Sequence, residues 1–155
     1  MPVKKLVEYL DRNRIKYITI NHSPAYTARE VAASTPVPRR EFAKTVVVTP
    51  DDRPAMAVVP ASRHVDLDAL AALAGAGSAE LEDESRFADE FPDCDPGAMP
   101  PFGNLYDMPV YVDTIIREDD DIVFNAGTHT RVIRMSSADF LELVGPKVGD
   151  ISVKE

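Results

Sequence analysis

The chain has 155 residues, of which 45% are hydrophobic and 28% charged, with one cysteine and a formal net charge of −9. This suits one globular domain spanning 1–155 that buries roughly 68–70% of its unfolded surface, and it excludes a disordered or low-complexity chain. One cysteine excludes an internal disulfide, no apolar run approaches the roughly 20 residues of a membrane span, and the acidic total argues against a general DNA or RNA binder.

Val3, Leu6, Val7 and Leu10 recur at helical spacing and predict an amphipathic helix over 2–13. No apolar signal core precedes it, so the expected compartment is the cytoplasm. A strand is expected over 15–20. Thr27-Ala28-Arg29-Glu30 reads as a capping box opening a short helix that Pro36 and Pro38 end. The β-branched runs 43–49 and 55–60, around Pro50-Asp51-Asp52-Arg53-Pro54, read as a hairpin-like pair. Asp66 to Leu73 reads as a helix stopped by Gly75 and Gly77, and an acidic helix is expected over 83–91 with Phe87 and Phe91 buried.

Strands are expected at 109–113, 122–126 and 131–135, the last two flanking a turn at Gly127-Thr128-His129-Thr130. Ser136-Ser137-Ala138-Asp139 reads as the N-terminal cap of a helix that stops at Gly145-Pro146. Strands outnumber helices and join mostly by hairpins. The expected class is α+β: one domain with a mixed, mainly antiparallel sheet and helices around it.

Charge is divided unevenly along the chain. Residues 1–63 carry 11 Lys+Arg against 6 Asp+Glu, a balance of +5, and residues 64–155 carry 6 against 20, a balance of −14. Lys4, Lys5, Arg12, Arg14 and Lys16 form one candidate phosphate-binding patch, and Arg39, Arg40, Lys44 and Arg63 another. The acidic half would repel a long duplex but is compatible with a single-stranded terminus; either patch is otherwise a solvated face.

Two features stand out as candidate chemistry. The stretch Cys94-Asp95-Pro96-Gly97-Ala98-Met99-Pro100-Pro101-Phe102-Gly103 packs prolines and glycines into mid-chain. Proline fixes φ and glycine permits close approach, so this is either a stiff crossover or a rigid surface loop. In the second case it grips a small polar group through its main chain over an apolar floor of Ala98 and Met99. Lys44 is the only charge in Phe42-Ala43-Lys44-Thr45-Val46-Val47-Val48 and faces either solvent or a cleft.

A lone lysine heading a Val-rich strand, followed by a Gly-x-x-x-Pro loop (Gly97 to Pro101) and Phe-Gly, resembles the YbaK/prolyl-tRNA synthetase editing-domain family. His22-Ser23-Pro24 with Thr27-Ala28-Arg29-Glu30, and Phe124-Asn125-Ala126-Gly127-Thr128-His129, extend the resemblance over nearly the whole chain. It implies a curved mixed sheet with helices around it, and a free-standing hydrolase of the ester bond in mischarged aminoacyl-tRNA. The implied substrate is Ala-tRNA(Pro) or Cys-tRNA(Pro).

On that resemblance Lys44 and Gly97 are the catalytic candidates. Lys44 would be a fixed cation for a terminal phosphate or for charge developing on the ester. Ala98, Met99, Pro100 and Pro101 would bind substrate, with Gly97 to Pro101 offering preorganised main-chain dipoles. His129 either lines the aminoacyl pocket or is a plain turn histidine; His22 either meets the tRNA terminus or merely enters a loop.

Three unpaired histidines and one cysteine make no metal-ligand spacing, so neither metal nor other cofactor is expected. Cys94 has no base placed to activate it, and neither a phosphate-binding glycine motif nor a serine nucleophile elbow occurs. The expected partners are the aminoacylated 3′ end of tRNA and an aminoacyl-tRNA synthetase, with no membrane. The rival reading is a non-catalytic module that binds an aminoacyl-tRNA end or a synthetase.

Overall fold

The computed structural model describes residues 4–21, 42–82, 91, 94, 98–128 and 130–154. Helix α1 (Lys4–Arg12) buries Leu6 and Leu10, one turn apart on a single face, and leaves Lys4, Glu8 and Arg12 in water.

Two sheets are built side by side. In one, β1 (Tyr17–Asn21) runs antiparallel to β7 (Arg131–Ser136), which runs antiparallel to β6 (Asp121–Asn125). In the other, β2 (Ala43–Val48) pairs antiparallel with β3 (Ala55–Pro60), and β5 (Val110–Asp113) and β8 (Lys147–Gly149) follow in parallel, in the order β2-β3-β5-β8. A parallel bridge between Phe42 and Val123 joins the two where β2 meets β6. The class is therefore α+β with a mixed sheet. The two local hairpins are the predicted ones, with Val48 opposite Ala55 and Asn125 opposite Val132.

Side-chain alternation gives the sheets two faces, and the buried side chains among the described residues gather in three clusters, the smallest made of Phe42, Ala61, Val123 and Val132. On one face Ala43, Val47, Met56 and Val58 pack with Leu6 and Leu10 of α1 and with Phe140 of α4 (Ser137–Val144). On the other, Val48, Ala55, Ala57 and Val59 pack against Ile151 and Leu70 of α2 (Leu67–Ala74). Covered on both faces, β3 is buried at every residue, as expected of a strand with a parallel neighbour.

Caps set the helix limits. Asp66 Oδ1 accepts from the Ala69 amide at 3.1 Å and Gly75 ends α2 at φ 71°; Ser136 Oγ accepts from the Asp139 amide at 3.3 Å and Gly145 ends α4 at φ 62°.

Four short elements have no counterpart in the sequence reading. They are β4 (Arg63–Val65), which pairs antiparallel with β9 (Ser152–Lys154), helix α3 (Thr114–Glu118), and β8. Elements of three to five residues are too brief for a period to emerge. Helix α3 exists because Asp113, only 2% exposed, caps it: Oδ2 accepts from the Ile115 amide at 3.0 Å and Oδ1 from the Ile151 amide at 2.9 Å. One carboxylate thus ties β5, α3 and the C-terminal segment together. The helix expected after Thr27, and residues 83–90 of the one expected over 83–91, lie outside the described residues; Phe91, the last residue of that span, is buried as expected.

The expectation of a surface loop before Gly103 is corrected. Ala98, Met99, Pro100, Pro101 and Phe102 are all buried. Met99 and Phe102 enter the α1-side core, where Phe102 meets Phe140 edge-on at 5.4 Å and Phe124 at 5.5 Å between ring centroids. An apolar loop holding a phenylalanine and a methionine is more stable sunk into the core than laid on the surface. At Gly103 a Cβ would lie 2.5 Å from the Met108 carbonyl oxygen and 2.6 Å from Val110 Cγ2, so only glycine fits.

Candidate active site

The bridge at Phe42 and Val123 sets the geometry that matters. Two residues further along each strand stand Lys44 and Asn125, on the same face because side chains alternate. Val59 lies opposite Lys44 on β3, and Val132 lies opposite Asn125 on β7. Here β1, β3 and β6 end while β2 and β7 begin, so the site forms at one end of the joined sheets.

Lys44 is half-buried, and it is the only charged residue of β2. Asn125 is 5% exposed, and its Oδ1 is buried with no hydrogen-bond partner among the described residues. A buried carbonyl oxygen left unpaired costs about 1–3 kcal/mol, which makes its retention informative. Sequence reasoning missed Asn125. Its signal was a polar residue closing the apolar run Ile122-Val123-Phe124, and its burial becomes visible only once the strand has neighbours.

The loop and the β6–β7 turn meet at the same end. The Gly127 amide donates to the Ala98 carbonyl at 2.9 Å, and Gly127 holds φ at 97°, a conformation that favours glycine. Thr128 and Thr130, whose hydroxyls are 3.5 Å apart, bracket position 129. Gly97, His22 and His129 lie outside the described residues; their described neighbours Ala98, Asn21 and the two threonines belong to this end of the sheet. Met99 points to the core face opposite the one that carries Lys44.

The two basic patches resolve differently. In the first, Lys4 pairs with Glu8 at 3.9 Å, Lys5 sits 3.8 Å over the Tyr106 ring, and Arg12, Arg14 and Lys16 are exposed. In the second, Arg63 is committed to Ser152, donating from Nε to Oγ at 2.7 Å and from its terminal nitrogen to the carbonyl at 2.9 Å, while Arg39 and Arg40 lie outside the described residues. Lys44 is the described cation of that patch that belongs to the sheet end.

Cys94 Sγ lies 3.4 Å from the Tyr106 hydroxyl, a phenol rather than a general base. Among the described residues no three His, Cys, Asp or Glu side chains gather as for a metal, and no helix is long and apolar enough to cross a membrane. Tyr17, in a cleft of about 360 Å³ bordered by Lys16 and Arg134, has its pKa raised by burial and by its hydrogen bond to Asp11.

A family model for the aminoacyl-tRNA editing domain matches residues 22–143, the span that holds Lys44, the Gly97–Pro101 loop and Asn125. The chain belongs to the aminoacyl-tRNA editing domain family. A curated relative of this editing domain is the multifunctional Ser/Thr-tRNA deacylase ProXp-y of Escherichia coli strain K12, 31% identical over 94 residues. The alignment spans 60% of this chain and 56% of the relative, so the chain spans just over half the length of the curated protein it matches.

Among solved structures, a hypothetical protein superposes with a TM-score of 0.86 at 20% identity, over 97% of this chain and all of that one. A candidate trans-editing enzyme for prolyl tRNA synthetase superposes with a TM-score of 0.80 at 20% identity, over 99% of this chain and 96% of that one. At that identity the superpositions establish the editing-domain fold.

Proposed function

We propose that this editing domain is an aminoacyl-tRNA deacylase that hydrolyses the ester of mischarged tRNA in trans. Water adds to the ester carbonyl carbon, the bond from that carbon to the ribose oxygen breaks, and the ribose oxygen takes up the proton released by the water. The products are a free amino acid and a tRNA with both terminal hydroxyls restored. Attack is by water directly, positioned with help from the substrate's own ribose hydroxyl, with the Thr128 and Thr130 hydroxyls at the sheet end set against each other rather than against a base.

Lys44 supplies a fixed positive charge, for the terminal phosphate or for the oxyanion developing on the ester. Gly97 to Pro101 act through their main chain, with Ala98 held to Gly127 so that the loop need not reorganise as charge develops. Positioning and preorganised electrostatics of this kind account for several kcal/mol of barrier reduction. The observation that carries the reading is the convergence, at one sheet end within the family match, of Lys44, Asn125 and the Ala98–Gly127 contact.

On this reading Pro100 and Pro101 make the aminoacyl pocket small and rigid, which suits a small aminoacyl group. Alanine or cysteine on tRNA(Pro) is the proposed substrate, with His129 and His22 as further contacts and an aminoacyl-tRNA synthetase as a further partner. The relative's name adds serine and threonine to the test. A panel of tRNAs mischarged with alanine, cysteine, serine and threonine, with released amino acid measured against enzyme, decides the matter. Release in excess of the protein supports a deacylase; stoichiometric protection without release indicates a binding module.

A further inference from the structure

An unpaired buried acceptor beside a lysine is a costly arrangement unless a ligand completes it. Asn125 Oδ1 is buried without a partner among the described residues; the residue shares a face with Val123, two places back on β6, and stands in register with Val132 of β7, both members of an apolar cluster with Phe42. A valine in its place would remove the unmatched atom and extend that apolar cluster, so the carboxamide weakens the fold where a hydrocarbon would strengthen it. Asn125 is the last residue of β6, so a ligand seated at the strand ends meets it without crossing the core.

The missing partner must be a donor, and its charge is constrained. A substrate ammonium at this position would share the face with the Lys44 cation, and a neutral amide oxygen would not offset its charge. A neutral hydroxyl incurs neither cost.

We propose that Asn125 Oδ1 accepts a hydrogen bond from a neutral hydroxyl at the aminoacyl-adenosine end of the substrate. Two groups there carry that chemistry: the terminal ribose 2′-hydroxyl, and the side-chain hydroxyl of a serine or threonine ester. In the first case Asn125 orients the ribose that assists hydrolysis. In the second it separates hydroxyl-bearing aminoacyl groups from alanine and cysteine, since a site built around a hydrogen bond discriminates against the analogue that lacks it. This rests on the deacylase reading of the site.

The test is a binding cycle with non-hydrolysable adenosine analogues in which an amide replaces the ester. Alanyl and seryl forms are each made with and without the 2′-hydroxyl, and all four are titrated calorimetrically into the wild-type chain and Asn125→Ala. Deleting the hydroxyl that Asn125 reads should weaken binding to wild type about 5- to 10-fold and to Asn125→Ala less than 2-fold. Loss tied to the 2′-hydroxyl identifies the ribose; loss tied to the seryl hydroxyl identifies the side chain. Equal losses in both proteins for both hydroxyls overturn the proposal.

Wild-type binding of the analogues without release of amino acid from any mischarged tRNA would sink the deacylase reading alone, and the cycle would still decide the role of Asn125. Binding of none of the four would overturn both. Should Asn125→Ala not fold, Asn125→Val, which puts a β-branched strand former in register with Val132, takes its place.

Discussion

Gly103→Ala tests the corrected view of the loop most directly. The added Cβ would stand 2.5 Å from the Met108 carbonyl oxygen and 2.6 Å from Val110 Cγ2, and the first of these is backbone that cannot rotate away. The Gly103 carbonyl also accepts the amides of Tyr106 and Met108, both at 2.9 Å, so moving residue 103 disturbs two hydrogen bonds as well. Overpacking of this kind costs about 1–3 kcal/mol, and the immovable neighbour puts the expected value at the upper end, about 2–3 kcal/mol. For a chain of this size each 1 kcal/mol moves Tm by about 2–4 °C, which gives a fall of roughly 4–12 °C in thermal unfolding followed by circular dichroism. Because Phe102 is wedged against Phe124 and Phe140, the shift should pass to Ala98 and its contact with Gly127, and deacylation should fall more steeply than stability. An unchanged Tm in Gly103→Ala would refute the buried packing of this loop.

Lys44→Ala should lower deacylation about 30- to 1000-fold, the effect of removing one charged contact from a preorganised site, while circular dichroism remains native. Lys44→Arg should rescue it only in part, because the guanidinium is larger and planar; a wild-type rate in Lys44→Ala would remove the residue from the mechanism. Asp113→Ala strips the Ile115 and Ile151 amides of their acceptors and should cost about 2–4 kcal/mol in urea unfolding, with turnover per folded molecule little changed. Affinity for tRNA should fall only shallowly with salt, at a log–log slope of about −0.7 per neutralised phosphate for a few single-stranded contacts; a steep slope would indicate a general nucleic-acid binder.

What the chain settles by itself is what can be settled within a few residues. Asp66 and Gly75 delimit α2, and Ser136 and Gly145 delimit α4, because a cap and a left-handed glycine act on the turn they adjoin. The β2–β3 and β6–β7 hairpins are equally local, each closed by a short connection between β-branched runs. The pieces of the editing-domain pattern, with Lys44, the Gly97–Pro101 loop and the turn after Asn125, were also visible in order along the chain.

Tertiary structure decided how those pieces meet. The parallel pairings of β3 with β5 and β5 with β8 join strands far apart in sequence, and no local period encodes which strands become neighbours. The Phe42–Val123 bridge is of the same kind, and it sets Lys44 and Asn125 at the same level on one face of adjoining strands. Ala98 and Met99 read as the floor of a surface loop; in the fold both are buried, and Met99 and Phe102 enter the core that holds Phe124 and Phe140. In the sequence Asn125 was one residue of the editing-domain pattern, inside a strand expected over 122–126. Burial is a property of the neighbours on both sides of a strand, so the cost of its unpaired oxygen, and with it the clue to its role, exists only in the folded sheet.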